Sequence, residues 1–313
     1  MRQRMPRLAF VSGLGFATIF GLSFIFAKEV IETVDPLALL AMRFSLAAGV
    51  VTVLHLIGLF PLTLRGKNIR SLLLLAAFQP VGYFLFEIFG LSLTHTSQAG
   101  MMIALIPIVV AIMSRTLLGE HIALLQGASI SVSVSGVLLI AINDAARIGQ
   151  GNALGLALLF MAVCSAASFN IISRQVSSEF SPFDSTFVMM WTGAVSFSLL
   201  ALLTGGVASL TASFAAVASS PQLIGAMLYL GILSSVVAFF LVNYTLSRLP
   251  ATQSAIFANV GTIVAVAAGV LLRNEPFHWY SGMGTAMIIL GVWGANWFAA
   301  RPSLSTSDST TVR

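Results

Sequence analysis

The sequence predicts an all-α polytopic membrane protein whose ten transmembrane helices form two five-helix repeats of inverted topology. Three observations lead there. Of the 313 residues, 58% are hydrophobic and only 8% are charged, against roughly 45–50% and about 25% in a soluble domain. The apolar residues fall in runs of about twenty, which is what an α-helix needs to cross a hydrocarbon core about 30 Å thick. The chain also matches itself when residues 76–140 are laid on residues 231–295. This composition excludes a water-soluble enzyme, a nucleic-acid-binding domain and a disordered chain. The 15 Lys and Arg against 10 Asp and Glu are read as topology signals, with no nucleic-acid partner. A closed β-barrel is the other backbone solution in lipid, but it needs segments of about ten residues with period two. Only Ser129, Ser131, Ser133 and Ser135 alternate in that way. They lie inside a helix-length apolar run and are read as small residues that allow close helix packing.

Taken in order, residues 1–7 carry three arginines and precede an apolar run over 8–27. That run is longer than the roughly 7–15 residues of a signal-peptide core, so it is the first span. Further spans are predicted at 36–58, 71–92, 95–117, 123–143, 152–172, 183–203, 222–246, 251–272 and 279–299, with a longer outer loop near 205–220. The first repeat is assigned to residues 1–145 and the second to 146–300, followed by a Ser/Thr-rich tail over 301–313 that lacks apolar periodicity and is predicted to be disordered. Placing the N-terminus inside puts eleven Lys and Arg on the cytoplasmic side and three (Lys28, Arg147 and Arg273) outside. Both termini are therefore predicted to be cytoplasmic. Cys164, the only cysteine, sits in an apolar stretch and is read as a small buried hydrophobe.

The self-match is sparse but keeps register: Phe84 with Phe239, Leu91 with Leu246, Gln98 with Gln253, Glu120 with Glu275, Gly127 with Gly282 and Gly136 with Gly291. At a slightly shorter offset Pro36 meets Pro182, each opening the second span of its half. Five spans per half force the two copies into opposite orientations, the inverted-repeat plan of many secondary transporters. Each half also has a Gly-Glu or Asn-Glu pair before its last span (Gly119-Glu120 and Asn274-Glu275), followed by a glycine pair. In these features, over about residues 9–298, the chain resembles the drug/metabolite transporter superfamily, specifically its EamA type. The resemblance implies an exporter of amino acids or related metabolites in a bacterial inner membrane, with substrate held in a central cavity lined by the first four helices of each half. It also implies peripheral fifth helices, where relatives make dimer contacts, so a homodimer is among the expected partners beside the lipid bilayer and a small-molecule substrate.

Ionisable groups inside a span cost at least ~2.5–3.5 kcal/mol and mark candidate sites. Arg43, about seven residues in from the outer end of the second span, and Glu87, about five in from that of the third, can meet at one depth. An intramembrane ion pair or a shared polar cavity is expected. A static pair or a snorkelling Arg43 is the structural alternative. In the functional reading Arg43 holds a substrate carboxylate and Glu87 an amino group, and Glu87 is the candidate protonation switch for coupling. Gln79, Tyr83 and Glu87, four apart, share one helix face, and Pro80 beside them removes a backbone hydrogen bond and opens a kink. Phe24, Asn170, Trp191, Asn243 and Tyr244 are the remaining cavity candidates, the aromatic ones as walls for apolar groups or cations. Gln98 and Gln253 open the fourth and ninth spans, as anion-facing groups or as caps. Glu120 and Glu275, just ahead of the last span of each half, are read as structural caps.

His55, His95, His121 and His278 offer no metal-ligand spacing, so neither metal nor cofactor is expected. With no His-Glu-x-x-His, G-x-S-x-G or Walker motif in the sequence, a membrane enzyme and direct ATP coupling find no support. A receptor or channel fits ten short-looped helices less well than a carrier does. The expected activity is alternating-access secondary transport, with amino-acid export first. Carriers of choline-like amines, drugs or other metabolites, importers included, are the alternative.

Overall fold

The structure, a computed structural model, describes residues 7–118, 124–148, 150–255 and 257–299. Glu120, His121 and the tail over 301–313 lie outside them. Every regular element among the described residues is a helix, in the order α1 (Arg7–Ile31), α2 (Pro36–Leu56), α3 (Arg70–Ser92), α4 (Thr96–Ile103 and Ile106–Leu118), α5 (Leu124–Ile148), α6 (Gln150–Val176), α7 (Pro182–Ala218), α8 (Pro221–Arg248), α9 (Ala251–Ala255 and Ala258–Arg273) and α10 (Trp279–Ala299). Among the described residues, eight helices, α1–α4 and α6–α9, are long and apolar enough to cross a membrane.

The starts of α2 and α7 follow from local chemistry. The Asp35 carboxylate accepts from the backbone N–H of Leu37 and Ala38 at 2.9 and 3.1 Å, and Pro36 occupies the first helical position, where no N–H is needed. At α7 the Ser181 hydroxyl accepts from the Asp184 N–H at 3.0 Å while the Asp184 carboxylate accepts from the Ser181 N–H at 3.1 Å, again with proline in first place. The long outer loop expected near 205–220 is not a loop. α7 continues for 37 residues to Ala218, bent at Gly206, whose φ of 68° suits glycine. The segment beyond Gly206 is rich in Ala, the best helix former, which is why it stays helical once the bend is made.

The two halves share an order of irregularities. The third helix of each contains a π-helical stretch, Ala77–Gly82 in α3 and Tyr229–Val237 in α8. The fourth helix of each is interrupted, after Ile103 in α4 and after Ala255 in α9. Between the halves, α1 crosses α9 where a Cβ on Gly21 would come within 2.6 Å of the Gly261 carbonyl oxygen, so only glycine permits that approach. α2 packs along α7, with the Phe44 ring 5.2 Å from that of Phe197. α5 packs along α10, where Ser133, one of the alternating serines, donates to the Ile288 carbonyl at 3.1 Å. The end of α3 meets the start of α6, since a Cβ on Gly155 would lie 2.6 Å from Thr94 Cγ2. α6 then runs toward Arg174, which at about 1.5 Å per residue ends up roughly 28 Å from Gly155, at the opposite end of the bundle.

Candidate functional site

A cavity of about 80 Å³ lies at the centre of the bundle, lined by α1, α3, α4, α6, α8 and α9. The first, third and fourth helices of both halves contribute. The expectation that the second helices also line it is corrected, because α2 and α7 pack on each other outside it. The cavity is well below the ~300–1,000 Å³ of a ligand-filled pocket, so the bundle is drawn in around it.

Its shape starts at Pro80. Proline cannot donate to the preceding turn, and the helix opens there, with Gln79 at φ −145° and ψ 117°. The freed backbone is satisfied from α6, whose Ser165 hydroxyl donates to the Phe78 carbonyl at 2.6 Å. This break leaves Gln79, Tyr83 and Glu87 on the cavity wall together. Phe24 and Asn170 line it too, the Asn170 amide donating to the Ala166 carbonyl at 2.8 Å. The remaining wall is largely aromatic, including Phe16, Phe20, Phe84 and Phe169. Glu87 is 2% exposed, and its Oε2 has no hydrogen-bond partner. Ser254, 1% exposed, lines the same cavity from α9 and its Oγ is likewise unpartnered.

Arg43 departs from expectation. It is 1% exposed and forms no ion pair with Glu87. Its Nε donates to the Ser235 hydroxyl and its NH2 to the Ser234 hydroxyl, both at 2.9 Å, and its guanidinium lies 4.2 Å from the centre of the Phe84 ring. Because α2 stands outside the cavity, two serines of the α8 π-helical stretch and a ring face satisfy this cation in place of a carboxylate.

Four further candidates also lie away from the cavity wall. Trp191 is 44% exposed on α7, its Nε1 donating to the Thr52 hydroxyl at 3.1 Å. Tyr244 is half-buried beneath the Arg248 guanidinium, 5.6 Å from the ring centre. Asn243 is buried in a network with the Ser173 hydroxyl (2.9 Å) and the Thr186 hydroxyl (3.1 Å). Gln98 accepts from the His95 N–H at 3.0 Å at the start of α4. Helix periodicity gives the face on which a residue sits, but not which neighbour covers that face.

Glu275 is a cap, though not of its own last helix. Its carboxylate accepts from the N–H of Thr96 and of Ser97, each at 2.8 Å, at the start of α4 in the other half. Burial alone pushes the Glu275 carboxyl upward, but those hydrogen bonds outweigh it and hold the group below the usual carboxylate range. Glu120 lies outside the described residues.

Two basic residues missed as functional candidates tie helix ends together. Lys28 Nζ donates to the carbonyls of Leu91 and Thr94 at 2.8 and 2.7 Å. Arg174 NH1 donates to those of Leu246 and Ser247 at 3.0 and 3.1 Å. Lys28 and Arg174 are offset in sequence just as Pro36 and Pro182 are, and Leu91 pairs with Leu246 in the self-match. That register was the signal that could have found them. Among the described residues no cluster of three or more His, Cys, Asp or Glu could hold a metal ion.

Comparison with known proteins agrees with this architecture. The EamA-like transporter family matches residues 7–142 and 153–297. The chain is 34% identical over 288 residues to the uncharacterized transporter YcxC of Bacillus subtilis, covering 92% of each. It is 25% identical over 276 residues to an uncharacterized transporter of Archaeoglobus fulgidus, covering 88% of this chain and 94% of that one. A crystal structure 18% identical in sequence superposes with a TM-score of 0.68 over 94% of this chain and 99% of that one, which shows a shared fold. With both matched stretches together covering nearly its whole length, the chain belongs to the EamA-like transporter family and is a multi-pass membrane transporter.

Proposed function

We propose that the protein is a secondary transporter that works by alternating access, rocking two inverted five-helix halves around the central cavity. α5 and α10 complete the ten spans, both termini are cytoplasmic, and the bacterial inner membrane is the site of action. The observation that carries this reading is the cavity itself. It is buried, built from corresponding helices of both halves, and tied off by corresponding bonds, Lys28 to the end of α3 and Arg174 to the end of α8. The shared order of π-helical and interrupted helices supports the same repeat. One side closing as the other opens is what such a pair of halves does.

The cargo is a small amphipathic metabolite bearing an amino group, which Glu87 receives while the aromatic wall takes the apolar body. Export of amino acids is the reading the family resemblance favours. Amines without a carboxylate are the second reading, and the engagement of Arg43 by Ser234 and Ser235 favours it. The test is flux into proteoliposomes holding the full chain, with a panel of labelled amino acids and amines, with and without a pH gradient. Saturable flux of at least one amino-bearing compound, lost in Glu87→Gln, is expected. Flux no greater than in protein-free vesicles across the panel overturns the reading.

A further inference from the structure

We propose that the central cavity is a binding site for a protonated primary or secondary amine without a carboxylate, received by Glu87 and Ser254 together. The inference rests on the transport reading above and names its substrate class. Four buried side-chain polar atoms among the described residues have no hydrogen-bond partner, and two of them, Glu87 Oε2 and Ser254 Oγ, line this one cavity. Both residues are almost wholly buried, so water at the protein surface does not satisfy them. Buried polar atoms are normally paired, and two orphans on residues that line one space point to a ligand that supplies hydrogens. A carboxylate only accepts and a hydroxyl oxygen readily does, so the matching group is an N–H-bearing cation. Glu87 comes from α3 in the first half and Ser254 from α9 in the second, so one ammonium held by both would link the halves.

The rest of the wall selects for charge. Among the described residues, no Lys, Arg or His lines the cavity. Arg43, the nearby cation, is bound to Ser234 and Ser235 and covered on one side by the Phe84 ring. A zwitterion would therefore bury its carboxylate without a cationic partner, which is costly. Phe16, Phe20, Phe24 and Phe84 offer ring faces that attract an ammonium and accept its apolar body. A quaternary ammonium would enjoy the rings but leave both orphan atoms unpaired, so N–H-bearing amines bind better than their trimethylated forms.

The experiment uses the full chain in detergent and four probes that share a 3-methylbutyl unit: isoamylamine, its N,N,N-trimethyl derivative, leucine and 4-methylpentanoate. Binding is measured by calorimetry and by the shift in thermal unfolding. Isoamylamine is expected to bind about a hundredfold more tightly than leucine or 4-methylpentanoate and about tenfold more tightly than the quaternary form. Glu87→Gln removes most of that binding, and Ser254→Ala weakens it about tenfold. Leucine binding as tightly as isoamylamine, no binding of isoamylamine, or isoamylamine binding unchanged by Glu87→Gln each overturns the proposal. If Glu87→Gln does not fold, the ranking of the four probes on the natural sequence decides. Saturable proteoliposome flux of leucine without flux of isoamylamine would overturn the amine site and leave the transport reading standing. Tight isoamylamine binding with no flux of any compound would do the reverse.

Discussion

At one end of the bundle a lysine clamps a helix terminus, and at the other an arginine does the same from the corresponding position. The surroundings differ. Lys28 is half-buried and borders a polar recess of about 450 Å³ with Glu32, Thr94, Arg273 and Glu275. There Arg273 pairs with Glu32 and Glu275 holds the start of α4, so both ties join the second half of the chain to the first. Arg174 is exposed. Its end is tied by neutral donors on one carboxylate, Asp184 accepting from the Thr63 N–H at 2.8 Å, and by Lys67 donating to the Glu179 carbonyl at 2.6 Å. The two clamps share their sequence register but not their burial. Since a charged hydrogen bond is worth more the less water reaches it, the Lys28 end is the more firmly held of the two.

The largest effect belongs to Glu275. Glu275→Ala leaves two buried N–H groups at the start of α4 without an acceptor, at a cost of about 3 kcal/mol. A fall in thermal unfolding temperature of the purified protein in detergent measures it. A variant as stable as the parent would remove the main asymmetry between the ends. Lys28→Ala and Arg174→Ala sharpen it next. In a Cys164→Ser background, Thr94→Cys reports opening at one end and Ser247→Cys at the other through reaction with a hydrophilic maleimide. Lys28→Ala is expected to speed labelling at 94 about tenfold, equivalent to about 1.4 kcal/mol. Arg174→Ala should change labelling at 247 by no more than about threefold. The opposite ranking would place the firmer closure at the Arg174 end.

The smallest effect is a pH dependence. Glu275 sits below the ordinary glutamate range in the folded protein. Its contribution is therefore complete above about pH 4.3, the unfolded value, and is lost as pH falls through the lower folded value. Thermal unfolding below about pH 4.3 should flatten in Glu275→Gln relative to the parent. Identical acid slopes would mean that other carboxylates govern this end.

Much of this was legible in the chain before folding. Runs of apolar residues set the spans because lipid demands length, and the spacing of Tyr83 and Glu87 set one cavity wall because a helix repeats every 3.6 residues, with Gln79 reaching that wall across the break. The kink was legible at Pro80, and the start of α7 at Pro182. What could not be read was which helix covers which. Arg43 finds Ser234 and Ser235 more than 190 positions away, and serines carry no pattern that marks them as partners. Trp191 has a face as regular as that of Tyr83, yet α2 and not the cavity lies against it. Glu275 was read as a cap from its position, but the helix it caps belongs to the other half. Gln98 was open to two roles, and its side-chain oxygen accepts the His95 N–H in the capping geometry.

The bend at Gly206 has a bearing on bilayer thickness. The 24 residues from Pro182 to Gly205 measure about 36 Å as a helix, slightly more than a hydrocarbon core of about 30 Å, and so can span it with a modest tilt. The twelve residues beyond Gly206, to Ala218, would carry a straight helix some 18 Å further, into headgroups and water. By turning the chain after a stretch long enough to cross, a single glycine of positive φ limits the length of straight helix that the lipid must accommodate. Replacing it with a β-branched residue would trade that limit for a helix that must either tilt more steeply or stand clear of the lipid.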